Sequence, residues 1–227
     1  MKVQYGNVTA GNLNSLNNQV SVQYGSTTIN NLNKGTISQQ YGKGVTIANS
    51  NDLNLNVQYA AANIVSIKNK AVVKVQYGGG LSIGSVGSLN LSAQYANVKI
   101  GSIKGDATIN QQYNSFSLGS VSTLTLTTQY ANVSVDQLNG NANIKSTYNN
   151  LVIGEIKSSV KNLQIVASYV NVSLGFDAAY KGNLEATGRY SGFSGPSSIR
   201  KVRDESNSKS YQGTIGGGGS NEVSVNT

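Results

Sequence analysis

The side chains able to do chemistry in this 227-residue chain are few and poorly placed for it. Nine carboxylates, Asp52, Asp106, Asp136, Glu155, Asp177, Glu185, Asp204, Glu205 and Glu222, are scattered along the chain, and His is absent. Without imidazole there is no Ser-His-Asp triad and no His base. Without Cys there is no thiolate metal site and no disulfide framework. Carboxylates aligned between repeats could still hold Ca²⁺ beside an Arg or Lys base. That needs one offset to be acidic again and again, yet Asp106 and Asp136 lie 11 and 6 residues after their nearest upstream tyrosines. No catalytic residue, cofactor or metal site is expected.

Two glycine runs mimic phosphate loops. Gly78-Gly79-Gly80 follows a strand pattern, but no helix opens after it and no Gly-Lys-Ser/Thr appears. Gly216 to Gly219 fails in the same way. The sequons at Asn7, Asn90, Asn132 and Asn171 mostly arise from the recurring corner-plus-strand pattern and need no glycosylation to account for them. The charge is +8, from 17 basic and 9 acidic residues. It could favour acidic partners, but the lysines come one or two per repeat, as turn charges that keep a β surface soluble would. No stretch approaches the ~20 apolar residues of a membrane helix.

The elements that must position these residues are set by a repeat. Tyrosine recurs at 5, 24, 41, 59, 77, 95, 113, 130, 148, 169, 190 and 211, at intervals of 17–19 up to Tyr148 and 21 thereafter; Tyr180 alone falls outside the series. Gln precedes the first eight. A fixed period near 20 residues is the mark of a solenoid. Before each tyrosine the apolar residues alternate, as in Leu53, Leu55 and Val57 leading to Tyr59, which predicts a half-buried strand. By that parity Tyr is on the inward set and Gln on the outward set. After a Gly, Ala or Asn corner a second strand begins, with inward residues such as Val98 and Ile100 or Phe116 and Leu118. A third inward position follows at Leu32, Ile67, Ile103 and Leu138. Val45/Ile47 and Leu81/Ile83 slip by one beside an extra glycine.

Each repeat carries too few inward side chains to fold alone, so the repeats must stack. The expected fold is all-β, a single-stranded parallel β-helix of about 12 coils of 17–21 residues, some 55–60 Å long at ~4.8 Å per coil. An antiparallel meander would lose the Gln and Tyr ladders. Residues 1–227 form one domain: regular coils over 3–187, an irregular loop or cap over 188–210, and a final partial coil over 211–227. The final strand stops where another corner should follow, so a fragment of a longer protein is expected. Inward tyrosines would make a core ladder, leaving no aromatic platform for single-stranded nucleic acid. Thr123, Thr125 and Thr127 occupy one coil only, so no ice-binding face is expected. Curli-like repeats carry regular Gln and Asn pairs, whereas the second strand here is aliphatic.

The corners Tyr5-Gly6-Asn7, Tyr95-Ala96-Asn97 and Tyr130-Ala131-Asn132, with the ending Gly213-Thr214-Ile215-Gly216-Gly217-Gly218 followed by Val-x-Val, resemble a bacterial adhesin family. This is the family of the auto-transporter adhesin head GIN domain and its relatives, and the resemblance covers the whole chain. It implies a β-helix exported to the periplasm or cell surface, acting as a structural or adhesive element toward glycan or a surface protein. The opening residues read as strand, not as a secretory leader. A self-assembling matrix or fibre subunit, associating through coil ends, is the alternative, and a carbohydrate-active enzyme a weaker one. The candidate binding surface is the outward ladder Gln23, Gln40, Gln58, Gln76, Gln94, Gln112 and Gln129, with Arg200, Lys201 and Arg203 of the irregular segment.

Overall fold

The alternation described above closes into a parallel β-solenoid in the computed structural model, which describes residues 1–189, 193–205 and 208–227. No helix is present among them. The chain begins with β1 (Lys2–Tyr5) and β2 (Val8–Leu13), both paired parallel to β3 (Asn18–Gln40). The stack continues through β4 (Gly42–Gln58), β5 (Ala61–Gln76), β6 (Gly80–Gln94), β7 (Val98–Leu138), β8 (Ala142–Ile156) and β9 (Asn162–Phe176), each parallel to the last. Hydrogen bonding persists around many corners, so β7 alone runs 41 residues and spans more than one coil.

The inward set is as the spacing predicts. Leu53, Leu55, Val57, Val98, Ile100, Phe116, Leu118, Ile67, Ile103 and Leu138 are all buried in one continuous core. Because each coil repeats the same offsets, like side chains stack on like, and backbone groups pair with the coils above and below. The slip at Val45 has a visible cause. Gly25 faces Gly42 and Ser26 faces Gly44, so Lys43 is an inserted residue with no partner in the ladder. Gly44, at φ 109°, takes up the bulge in a conformation closed to other residues.

The tyrosines depart from the prediction. Tyr41, Tyr59, Tyr77, Tyr95, Tyr113, Tyr130, Tyr148 and Tyr169 all have positive φ, between 52° and 63°. In that left-handed conformation the chain turns a corner and alternation is inverted at one residue. Tyr59 is therefore 48% exposed while Val57, two residues earlier, is fully buried. After Tyr59, Tyr95 and Tyr130 the next residue turns inward instead, so Ala60, Ala96 and Ala131 are buried, whereas Asn114 and Asn149 are themselves left-handed and exposed. The expected core ladder is thus an outward one.

The C-terminal part also differs. The parallel stack has about ten turns, not twelve. Coils of 21 residues gain a turn, Lys157 to Val160 and Asp177 to Tyr180, each closed by a backbone bond of 2.9 Å. Tyr180 closes its turn as Val160 closes the one before and is the buried tyrosine among the described residues, its ring tilted against Phe176 at 4.9 Å. β13 (Asn221–Asn226) is not an open last coil: it inserts between β9 and β10 (Gly182–Gly188), parallel to both. The irregular segment holds β11 (Ile199–Glu205) and β12 (Ser208–Ile215), an antiparallel pair, with β12 antiparallel to β10. Tyr211 leaves the tyrosine series and packs on Phe193. Tyr190, also of that series, lies outside the described residues.

Candidate functional site: the outward tyrosine and glutamine ladders

Ten tyrosine rings project into one row from Tyr5 to Tyr169, the eight from Tyr41 onward out of the left-handed corner conformation. Successive centroids are 4.3 to 5.4 Å apart and the planes lie within 13° of parallel. The closest pairs are Tyr95–Tyr113 at 4.3 Å and Tyr130–Tyr148 at 4.6 Å. A side-chain hydrogen bond with Tyr113, then desolvation, raises the pKa of Tyr95; desolvation, then the Tyr148 phenol, raises that of Tyr130. Both phenols are thereby kept protonated, and the row is a hydroxyl-bearing ridge. Since each ring covers its neighbour, edges and hydroxyls face outward, and free ring faces exist only at the ends, where Tyr5 and Tyr169 are 74% and 80% exposed.

Beside this ridge runs the glutamine column, half-buried and outward of the core as the sequence implies. Gln40 Nε2 donates to Gln58 Oε1 at 3.3 Å, Gln58 to Gln76 at 3.0 Å, Gln76 to Gln94 at 3.4 Å and Gln94 to Gln112 at 3.1 Å. Gln23 and Gln129 hold the same offset toward either end. Each amide keeps a second N–H to donate, so the column is both internally bonded and able to bind. Two asparagine columns also bond between coils: Asn12, Asn31 and Asn49 at 2.7 and 3.1 Å, and Asn132, Asn150 and Asn171, just past the tyrosine corner, at 3.1 Å.

Arg200, Lys201 and Arg203 do not join the ladders. They lie on β11, at the C-terminal end of the sheet, where Lys201 pairs with Asp204 and Arg203 Nε donates to Glu205 at 2.8 Å. Asp204 is pushed below, and Lys201 above, its ordinary pKa by their mutual hydrogen bond. With a register shift between Lys201 and Arg203, this charged strand is a guarded sheet edge.

Polar groups inside the stack went unread in the sequence. Gln39 and Gln111 stand next to the ladder glutamines but point inward, donating to the corner carbonyls of Tyr41 and Tyr113, both at 2.7 Å. The Gln-Gln doublets were their only signal. Elsewhere, Lys157 bridges Glu155 at 2.9 Å and Asp177 at 3.1 Å. Among the described residues no three His, Cys, Asp or Glu side chains come together, and no helix is long and apolar enough to cross a membrane.

The fold and its surface define a parallel β-solenoid bearing an outward tyrosine ridge and a glutamine ladder. In comparisons with known proteins, no family model, no curated protein and no solved structure matches the chain.

Proposed function

We propose that this chain is a structural or adhesive element of the cell surface or periplasm, contacting glycan or protein through its tyrosine–glutamine corner. The observation that carries the reading is the ten-ring outward tyrosine row, eight of whose members are held in a left-handed backbone, with no described part of the chain folded over it. A left-handed non-glycine residue costs roughly 1–2 kcal/mol, and a fold that needed only the corner would be served by Gly or Asn. An exposed aromatic row kept in every coil from Tyr5 to Tyr169 is the pattern of a contact surface. The resemblance of the corners to adhesin heads points the same way and supplies the compartment. The charged, bulged β11 edge argues for a discrete rod over a fibre growing from that end.

The test is attachment. Beads coated with the purified chain should adhere to polysaccharide- or protein-coated surfaces under flow. The triple variant Tyr59→Asn, Tyr77→Asn, Tyr95→Asn, verified as folded by circular dichroism, should lose most of that adhesion. Equal adhesion by the folded variant would remove the corner as the contact surface.

A further inference from the structure

The charges of the solenoid are sorted by corner. From residue 1 to Phe176, the stretch running from five residues before each ladder tyrosine to four after it contains Lys2, Lys43, Lys74, Lys99 and Lys145, all exposed, and no carboxylate. The acids of the same span, Asp52, Asp106, Asp136 and Glu155, all lie six or seven residues along the coil from the ladder position, with the remaining lysines around them. The molecule is thus mixed in charge on its other sides and purely basic along the tyrosine ridge.

The basic groups are also aligned. Lys2, Lys74 and Lys145 occupy one column, three residues before their tyrosines, as the partners Lys2↔Ser21, Asn56↔Lys74 and Thr127↔Lys145 show. Each is four coils from the next, ~19 Å at the usual strand spacing, and the ridge itself spans ~43 Å. Lys43 and Lys99 stand on the far side of the ridge. Next to it, a shallow depression of about 360 Å³ is lined by Lys2, Gln4, Ser21, Gln23, Ser38 and Gln40. The surface is long, straight, hydroxyl- and amide-rich, and positively flanked.

We infer that this corner takes an extended acidic polysaccharide lying parallel to the stack axis. The inference rests on the corner being a contact surface, as proposed above, and names what it contacts. Linearity and charge alone would admit single-stranded nucleic acid, but that ligand draws its affinity from bases stacked on open aromatic faces. Here the faces are consumed by neighbouring rings at 4.3–5.4 Å. What remains is a row of phenol hydroxyls and amide N–H groups, which suits a polyhydroxylated chain carrying carboxylates or sulfates. Exposed lysines spaced along such a chain act by summed, salt-screened attraction.

Polygalacturonate is a direct probe, with dextran as its neutral counterpart. The full chain immobilised on a sensor should bind polygalacturonate at low salt, bind dextran far more weakly, and lose affinity in about 0.3 M salt. The pair Lys74→Glu, Lys99→Glu should weaken binding about tenfold, while Lys68→Glu, Lys104→Glu on the opposite loops should leave it within about twofold. Equal losses from the two pairs, equal binding of dextran, or an oligothymidylate competing as well as polygalacturonate would each overturn the inference. If the triple asparagine variant loses bead adhesion while no form of the chain binds polygalacturonate, the contact surface stands and the acidic-glycan assignment falls. If neither measurement responds, both fall.

Discussion

Two buried glutamines in equivalent places differ by one hydrogen bond, and the difference can be corrected by design. Thr27 Oγ1 donates to Gln39 Oε1 at 2.9 Å, whereas Gln111 Oε1 is buried with no partner. The strand register runs Thr27–Val45–Ala62–Leu81–Val98 in one column and Gln39–Val57–Val75–Ala93–Gln111 in the next. Val98 therefore stands to Gln111 as Thr27 stands to Gln39. Val98→Thr should place a hydroxyl where the orphan oxygen needs a donor. An unsatisfied buried acceptor costs about 1–3 kcal/mol, and losing one buried methyl costs about 0.8 kcal/mol, so the net gain is about 1 kcal/mol.

Val73→Thr is the control, because Val73 is buried and its register partners, Leu55 and Leu91, carry no acceptor. It should cost about 1–3 kcal/mol for a hydroxyl buried without a bond. Urea unfolding followed by far-ultraviolet circular dichroism measures both, and a thermal scan should separate them by several degrees, at about 2–4 °C per kcal/mol for this chain length. The signs must be opposite. If Val98→Thr is destabilised as much as Val73→Thr, Val98 does not stand to Gln111 as Thr27 stands to Gln39.

The other predictions concern the corners. Tyr77→Val and Tyr77→Asn both delete ring contacts of 5.4 and 5.1 Å, but a β-branched residue at φ 52° should make the Val variant less stable by a further ~1–2 kcal/mol in urea melts. Tyr180→Phe removes a buried, unbonded hydroxyl and should gain about 1 kcal/mol. Burial, then the charge of Glu222, raises the Tyr180 pKa above 10.0. Its contribution is therefore full below pH 10 and fades as pH rises through the raised folded value, so the Phe variant should lose less stability in alkali. The Asp177 carboxyl is held below 3.8 by the Ala179 N–H first and Lys157 second. Its contribution is present above that pH and is lost as pH falls through the lowered value. Asp177→Asn, which keeps an oxygen for Ala179, should flatten the acid limb of the stability–pH curve.

The periodicity made most of the fold legible: the strands, the inward columns and the parallel stacking all follow from spacing. What it hid were single residues that break its own assumption. Alternation presumes extended backbone throughout, and from Tyr41 to Tyr169 a left-handed tyrosine in each coil breaks it, sending the ring outward and, at Ala60, Ala96 and Ala131, the next residue in. The signal was present in the small residues after Tyr59, Tyr95 and Tyr130, since Ala fits a tight inward corner. Val223 and Val225 are readable as a strand, but a repeat pattern assigns a strand to the next coil. It carries no information about insertion between β9 and β10, which depends on a pairing such as Glu222 with Asn183 across 39 residues. The charges of β11 suggested a loop because edge strands are protected by the same residues that solvate loops.

Fold and candidate site meet at one residue type. A tyrosine in the left-handed region costs roughly 1–2 kcal/mol relative to extended backbone, and a stacked aromatic pair returns about 0.5–1.5 kcal/mol. These terms nearly cancel, so stability does not select tyrosine over asparagine at the corner. Nor does solubility, which would favour Asn or Gly on an exposed ridge. The choice is left to what the ridge presents outward, which is phenol hydroxyls beside amides and lysines. On this argument the triple asparagine variant should unfold within about 2 kcal/mol of the parent while losing adhesion. A large loss of stability instead would return the ladder to a purely structural role.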